Sequence, residues 1–516
     1  MSQFVKLTFL IHTFGIMGCV LGEIKPLQTL RWGADVESGV PNVFYDPQQP
    51  SKITGFEYEI AKALATTLHA QLEFHANDWE MLVPGLQRHE YDVLLNGIER
   101  NTWQRFTDKA GIRLSIPYYV THLQLVVASS SPLKYFSECE DKTIGILKQS
   151  WHAEKALKRF HHTQIVIYDD EVKAFADLTN KRLDGVLLDH PESFYYAAID
   201  KNVRLLDDPI SRLEYVVIVR AEDADLLEEI NKALNTLIHN GQLRSILERW
   251  NLWNAATATY FQATSVANSP AIAFDQYVAT VQSNQKQWGH FYLQCLPMLW
   301  KAAWTTLKLS LVAMFFAMIA GFGLAVARIY AIGPIRLLAT VYVECVRGIP
   351  LLIQLLLIFY GLPTLSKYLP TPISHWVCFS PFLAGVIALA INYSAYECEI
   401  YRAGLLSVPR GQMEAARALG MSHIQALWYV VFPQAIRMVI PPVTNNFIML
   451  LQDSSLVSMI TIVELTRAYQ YLAATNFNYF GTGLLVAGVY LAIGFPFVCL
   501  ARRCENRCNL KKYTYK

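Results

Sequence analysis

A chain of 516 residues, 53% apolar and only 17% charged, is too long for one core and too apolar for an ordinary soluble protein. Its formal charge of +2, with no arginine-rich run, excludes a nucleic-acid partner held by charge. Of the nine cysteines only Cys139 lies between residues 24 and 253, which excludes an internal disulfide there, and no His/Cys group of metal-ligand spacing accompanies Cys504 and Cys508.

Residues 1–22 carry Lys6 and then run apolar from Leu7 to Leu21, the length of a signal-peptide core and short of the roughly 20 residues a span needs. Residues 1–23 are therefore read as a signal peptide or an uncleaved anchor, with a lipid-attachment pattern at Cys19 as the third possibility. All three place the residues after 23 outside the cytoplasm. From residue 28 to 250 short apolar strands alternate with helical stretches. Gly55 to Ala65 carries an apolar helical face, and Val126–Ala128, Thr143–Leu147 and Val216–Val219 read as buried strands. This alternation predicts a parallel sheet, and the length predicts two lobes. Residues 254–298 read as a linker, Ala/Thr/Ser-rich from Ala255 to Ala273, with Trp288–Leu296 as an amphipathic helix on the outer membrane surface.

Beyond residue 299 come apolar stretches near 304–327, 337–362, 382–400, 436–463 and 483–501, each long enough to cross a hydrocarbon layer of roughly 30 Å. The fourth is broken by Pro441-Pro442. If residue 290 is outside, the segments falling inside carry Arg328 and Arg336, then Arg402, Arg410, Arg417 and Arg437, then Arg502, Arg503, Arg507, Lys511 and Lys512. The outer loops hold little beyond Lys367 and Arg467. This positive-inside asymmetry gives five spans with the C-terminus in the cytoplasm. Glu344, Arg347, Glu397, Glu399 and Asp453 lie in or beside spans, where ionisable groups are costly and mark functional positions. With Asn392, the candidates for the membrane pathway are Glu344, Arg347, Glu397 and Asp453; Glu344 and Arg347 are also spaced for an internal i,i+3 pair.

The inner loop after the third stretch reads Glu414-Ala415-Ala416, then Gly420, then Val430-Val431-Phe432-Pro433. Alanines keep a first helix thin, and glycine supplies a left-handed cap before a second. This pattern resembles the coupling loop of ATP-binding-cassette importers. Trp304 to Ser310, Glu344 to Gln354, Asn392 to Glu397 and Gln452 to Ser458 are similar to the polar-amino-acid permease family, across residues 299–503. The resemblance implies a type I importer permease fold, a dimeric pathway, and a separate cytoplasmic ATPase docked on Glu414, Ala415, Ala416, Gly420 and Pro433. No Gly-x-x-x-x-Gly-Lys-Ser/Thr loop occurs in the sequence, so ATP is expected on that partner, and this chain is read as a transporter subunit without cofactor or catalytic residues.

In the first half, Arg31 to Asp35, Asp78 to Leu86, Tyr91 to Ile98, Pro117 to Tyr119 and Leu183 to Asp189 resemble extracytoplasmic solute-binding proteins of family 3 for polar amino acids. The implied fold is the bilobed α/β periplasmic-binding-protein type II domain, with crossings near Leu125–Ala128 and Leu213–Val217 and a hinged closure. A captured amino acid needs buried counter-charges for carboxylate and ammonium. The resemblance puts Arg105, in Thr102-Trp-Gln-Arg105, on the carboxylate, with Arg113 a rival because Asn101 looks inserted. It puts Asp189 on the ammonium, unless Asp189 caps a turn, with Asp35 reaching across from the other lobe. Trp79 is an aromatic clamp or plain core. Asn96, Gly97, Thr102 and Ser150 complete the expected ligand contacts. Gln149 stands where the family has glycine, and Glu37 adds charge near the mouth, against acidic ligands.

The expected domains are 1–23; a solute-binding domain 24–253, with one lobe from 24–125 and 217–253 and the other from 126–216; a linker 254–298; a permease 299–504; and a tail 505–516. The function expected is capture of a polar L-amino acid and its import across the cell (inner) membrane. The rival readings are a ligand-gated channel and a membrane-anchored sensor with the same receptor fold.

Overall fold

A computed structural model describes residues 29–36, 39–168, 171–286, 288–365, 379–476 and 478–508. The expected signal peptide or anchor with Cys19, as well as Glu37, Lys367 and the tail beyond residue 508, lies outside these residues.

The first half opens with β1 (Thr29–Ala34), the short pair β2 (Phe44–Tyr45) and β3 (Ile53–Thr54), α1 (Phe56–Thr67) and β4 (Gln71–Ala76). A 3-10 turn at Trp79–Met81 leads into α2 (Leu82–Gln87), β5 (Val93–Leu94), α3 (Arg100–Trp103) and α4 (Thr107–Ala110). The long strand β6 (Ile112–Ala128) comes next, then β7 (Thr143–Leu147), α5 (Trp151–Leu157), β8 (Gln164–Tyr168), α6 (Glu171–Thr179), β9 (Gly185–Asp189), α7 (His190–Ile199), β10 (Val203–Leu205) and β11 (Ile210–Arg220). Helices α8 (Ala224–His239) and α9 (Gln242–Arg249) complete it.

The main sheet runs β4–β1–β5–β11–β6–β9–β7–β8, with β10 beside β6. At one end β4, β1 and β5 are parallel; at the other, β9, β7 and β8 are parallel. Among the described strands the two groups are joined through antiparallel β6 and β11. Strand β6 pairs with β11 from Ile112 to Leu123 and with β9 from Leu123 to Val127, so one strand serves both lobes. Trp32, Tyr118, Tyr119, Leu187 and Val217 are fully buried, as strands covered on both faces by helices require. The C-terminal ends of the parallel strands meet at the cleft between the lobes, the position where open α/β sheets bind ligands.

The segment expected as a linker is structured. Helix α10 (Ala255–Tyr260) is tied to β6, Asn254 Nδ2 and Thr257 Oγ1 both donating to Val120 O at 3.0 and 2.6 Å. Helix α11 (Ile272–Lys286) buries Tyr277 and Val281 in the core of the first half. The expected surface helix at Trp288–Leu296 is instead the start of α12 (Trp288–Tyr330), one helix of 43 residues. Its Phe291, Cys295, Met298 and Leu299 are buried, so this end faces protein.

The second half continues with α13 (Gly333–Gly348), α14 (Leu351–Leu356), a π-turn at Leu357–Gly361, α15 (Leu362–Leu365), α16 (Pro381–Leu406), α17 (Arg410–Ala418) and α18 (His423–Ala426). A second π-turn at Leu427–Val431, α19 (Phe432–Asp453), a 3-10 turn at Ser454–Ile460, α20 (Leu465–Asn476) and α21 (Tyr479–Cys508) complete the chain. Three described stretches are long and apolar enough to cross a membrane: Phe291–Tyr330, His423–Ile460 and Tyr479–Arg503. A fourth is counted if Gly333–Gly348 and Leu351–Thr364, which meet at 106°, form one bent span. The chain is thus a multi-pass membrane protein, but a count of five is not reached by this measure.

Two sequence expectations change in detail. The stretch 337–362 is not straight, because Pro350 holds Ile349 in extended geometry, with φ −105° and ψ 128°. Gln354 Nε2 fastens that corner, donating to Val346 O at 2.7 Å and Ile349 O at 2.8 Å. Conversely, α19 runs unbroken through Pro441 and Pro442. The expected third span, α16, spends part of its length on buried Asn392, Ser394 and Glu397, which lowers its apolarity. It lies in close contact with α12: a Cβ at Gly321 would meet Glu397 Cβ at 2.6 Å, so only glycine permits this approach.

Candidate functional site

A cavity of about 510 Å³ lies between the lobes. Asp35, Trp79, Asn96, Gly97, Thr102, Arg105, Ser150 and Asp189 all line it, bringing together every ligand contact expected from sequence. Asp35 ends β1; its N–H donates to Asn96 Oδ1 at 2.5 Å and its Oδ2 accepts from Trp79 N–H at 2.9 Å. Trp79 is half-buried, lining the cavity and packing on the cluster of Leu82, Leu86 and Tyr91, so it is both wall and core. Gly97 donates its N–H to Glu57 Oε1 at 2.6 Å, and Tyr118 Oη donates to the same oxygen at 2.5 Å.

From the other lobe, Ser150 stands at the start of α5 after Gln149, whose φ of 63° lies in the left-handed region. That geometry is the physical reason a glycine would suit position 149. Arg105 places its guanidinium 4.0 Å from the Trp151 ring centre at the cavity wall. Arg113 does not line the cavity; its Nε donates to Ala221 O at 2.9 Å. Asp189 ends β9 at the N-cap position of α7 but makes no side-chain cap bond. Its carboxylate instead accepts a short hydrogen bond from Tyr215 Oη on β11.

Sequence reasoning did not single out Glu99, Asn42, Glu192, Tyr215 or Trp151, which also line the cavity. Glu99 Oε2 accepts from Thr102 Oγ1 at 2.6 Å and lies 2.5 Å from His152 Nδ1, so Thr102 is engaged with this acid. Asn42 Nδ2 donates to Glu192 Oε1 at 2.5 Å across the cleft. Burial, then Glu99, holds the Asp189 carboxyl well above the usual range; burial, then Asp189, does the same to Glu192. One signal was present in the sequence: Glu192 follows Asp189 by three residues at a helix start, which puts both on one face.

In the second half, α17 is followed past its Leu419 cap by Gly420, whose φ is 88°, with Met421 N–H donating to Ala416 O at 3.2 Å. Ser422 and Gln425 then form a capping box that starts α18. Ala416 is buried while Glu414 and Ala415 are exposed, and Pro433 lies in the first turn of α19. Leu419, Ile424, Trp428 and Tyr429 are exposed around the loop, a cluster of apolar side chains on its outer face.

The membrane-pathway candidates divide. Asn392 and Glu397 are buried, and Glu397 Oε1 accepts from Asn446 Nδ2 at 3.0 Å. Asp453 Oδ2 accepts from Tyr393 Oη at 2.7 Å. Glu344 and Arg347 make no ion pair with each other among the described residues: Glu344 is exposed, 3.9 Å from Arg328 Nη2, and Arg347 Nη1 lies 3.9 Å from Glu399 Oε1. Glu399, which is not among those candidates, also binds Arg328 and, at 2.8 Å, Arg402.

Residues 313–509 match the family described as binding-protein-dependent transport system inner membrane component, and residues 30–252 match bacterial extracellular solute-binding proteins, family 3. The L-cystine transport system permease protein TcyB of Bacillus subtilis (strain 168) is 38% identical over 203 residues, covering 39% of this chain and 81% of that protein. The probable glutamine ABC transporter permease protein GlnM of the same organism is 36% identical over 202 residues, 39% of this chain and 89% of that one. Among solved structures, an amino acid ABC transporter with histidines is 38% identical with a TM-score of 0.38, over 42% of this chain and 96% of that one. An ancestral arginine-binding protein bound to arginine is 27% identical with a TM-score of 0.39, over 44% of this chain and 99% of that one.

Proposed function

Since the chain belongs to the family of binding-protein-dependent transport system inner membrane components and carries a family 3 solute-binding domain ahead of its permease, we propose that it captures a polar L-amino acid outside the cytoplasm and passes it through its own membrane half. The observation that carries this reading is the cavity, which sets one arginine, Arg105, and a half-buried acid, Asp189, among the groups lining a single cleft. A zwitterion losing its water on lobe closure needs both. Arg105 offers a planar fork for the carboxylate, and Asp189, held by Tyr215, offers an oxygen for the ammonium. Trp79 closes over the ligand, Asn96, Gly97, Thr102 and Ser150 bound it, and Asp35 fixes the Trp79 turn.

Closure turns about β6 and β11, the strands common to both lobes. The arginine distribution supports an extracytoplasmic first half and a cytoplasmic coupling loop. On that loop a separate ATP-binding-cassette ATPase docks, its cleft filled by the exposed apolar side chains around Gly420. A second permease copy completes the pathway, so each complex carries more than one receptor. Covalent linkage keeps the receptor at high local concentration over the permease.

The test is uptake of labelled L-amino acids by cells that express the full chain together with such an ATPase. The expected result is ATP-dependent uptake that Arg105→Ala abolishes. Ligand binding without uptake in any ATPase background would replace transport by sensing.

A further inference from the structure

The cavity holds more carboxyl groups than a neutral amino acid engages. Seven acidic side chains line it against two basic ones, Arg105 and Lys148. Three of the seven face a basic side chain: Glu80 faces Lys148, Glu99 faces His152 and Glu154 faces Lys158, while Asp35 accepts from Trp79 N–H. Asp189 and Glu192 share the cavity with Arg105. A zwitterion cancels one charge of each sign, its carboxylate on Arg105 and its ammonium on Asp189. Glu192 is then the acid with an open oxygen. It sits one turn along α7 from Asp189; its Oε1 accepts from Asn42 across the cleft at 2.5 Å, and its Oε2 is buried with no hydrogen-bond partner. Neither Asp189 nor Glu192 has an ion-pair partner among the described residues, and the buried Glu171 lies within electrostatic reach of Glu192.

A buried carboxylate oxygen with no donor is costly, and a cluster of such acids is costlier still, because each raises the others. A cation arriving with the ligand removes that cost. A neutral side chain leaves it in place, and an acidic one adds to it. We propose that the ligand is an amino acid with a positively charged side chain, and that Glu192 is the residue that selects it. This deepens the amino-acid reading of the cavity and rests on it. Asn42 orients Glu192 from the opposite lobe, so the selecting oxygen is presented only when both lobes contribute.

The experiment is calorimetric titration of the full chain in lipid nanodiscs with L-lysine, L-arginine and L-ornithine, their neutral counterparts L-norleucine and L-citrulline, and L-glutamine and L-glutamate. Basic amino acids are expected to bind about tenfold or more tightly than their neutral counterparts, because a desolvated charge pair is lost in the latter. In Glu192→Gln that preference is expected to collapse, with the affinity for L-norleucine changed less than about threefold. If Glu192→Gln loses its native melting transition, Glu192→Asp is titrated in its place and a weakened preference is expected. A neutral or acidic amino acid bound as tightly as the basic ones would overturn the charge assignment and leave the amino-acid reading intact. A basic preference unchanged in a folded Glu192 variant would overturn the role of Glu192. Binding of none of these compounds would overturn the amino-acid reading itself.

Discussion

Arg467, 389 positions along the chain from Asp78, donates a charged hydrogen bond to its carboxylate across the seam between the two halves. Asp78 directly precedes Trp79, whose N–H is held by Asp35 at 2.9 Å, so the wall of the cleft is one residue from the contact with the permease. Around this pair Tyr45 meets Tyr471 with ring centres 5.0 Å apart, and Val36 packs in one cluster with Phe291 and Leu465. Burial holds the Asp78 carboxyl above its usual range, and Arg467 opposes that shift. The Trp79 turn and α20 are therefore joined by a charged contact set beside apolar ones.

Arg467→Ala leaves Asp78 without its cation at a largely buried seam, a change that costs roughly 3 kcal/mol or more where one partner of such a pair is removed. Uptake is expected to fall at least tenfold while the ligand Kd stays within about twofold, as read by titration and uptake on the same preparation. Normal uptake by Arg467→Ala would show that the pair does not join receptor to permease.

Arg105→Ala is expected to abolish amino-acid binding, whereas Arg113→Ala, at a residue bonded to Ala221 O and outside the cavity, is expected to leave Kd unchanged. Titration of both variants decides which arginine meets the carboxylate. The reverse pattern would assign that role to Arg113.

The order of family motifs along residues 31–189 made the α/β receptor domain legible, together with eight residues that line its cleft. What stayed hidden were the residues that depend on tertiary approach. Asn42 and Glu192 meet only after the lobes assemble, and Tyr215 reaches Asp189 from a strand 26 residues away. The Ala/Thr/Ser composition of 255–273 concealed the ordered α10, and the spacing of Tyr277 and Val281, four residues apart on one helical face, was the missed signal for α11. In the membrane half the helix–turn–helix at Gly420 was plain from that glycine and its flanks. The span count was not, since α16 buries its polar residues among neighbouring helices and hydropathy cannot see that.

Glu57 gives a pH dependence. Burial pushes its carboxyl up to about 7, against hydrogen bonds from Tyr118 and Gly97 that oppose the shift. The folded state therefore binds the proton more tightly than the unfolded state, so this stabilisation is complete below about pH 4.5 and lost as pH rises through 7. By linkage the loss amounts to roughly 3 kcal/mol. Thermal unfolding of the full chain is expected to show a stability difference between wild type and Glu57→Gln that changes across this window. A difference independent of pH would mean that Glu57 titrates normally.

Glu414 is exposed on the loop that ends at Gly420, so Glu414→Lys is expected to leave ligand binding and melting temperature unchanged while lowering uptake at least tenfold. Uptake at the wild-type rate would remove the coupling role from this loop.

The most direct measurement of the central claim is a thermal-shift screen of the full chain in nanodiscs against the twenty L-amino acids, with Arg105→Ala alongside. A ligand that binds only the native state adds about 2.7 kcal/mol at a hundredfold excess over Kd. One or a few polar amino acids are expected to raise the transition of the wild-type chain and to leave that of Arg105→Ala unmoved. A cooperatively melting wild-type chain that shifts with none of the twenty would contradict the reading of the cleft as an amino-acid receptor.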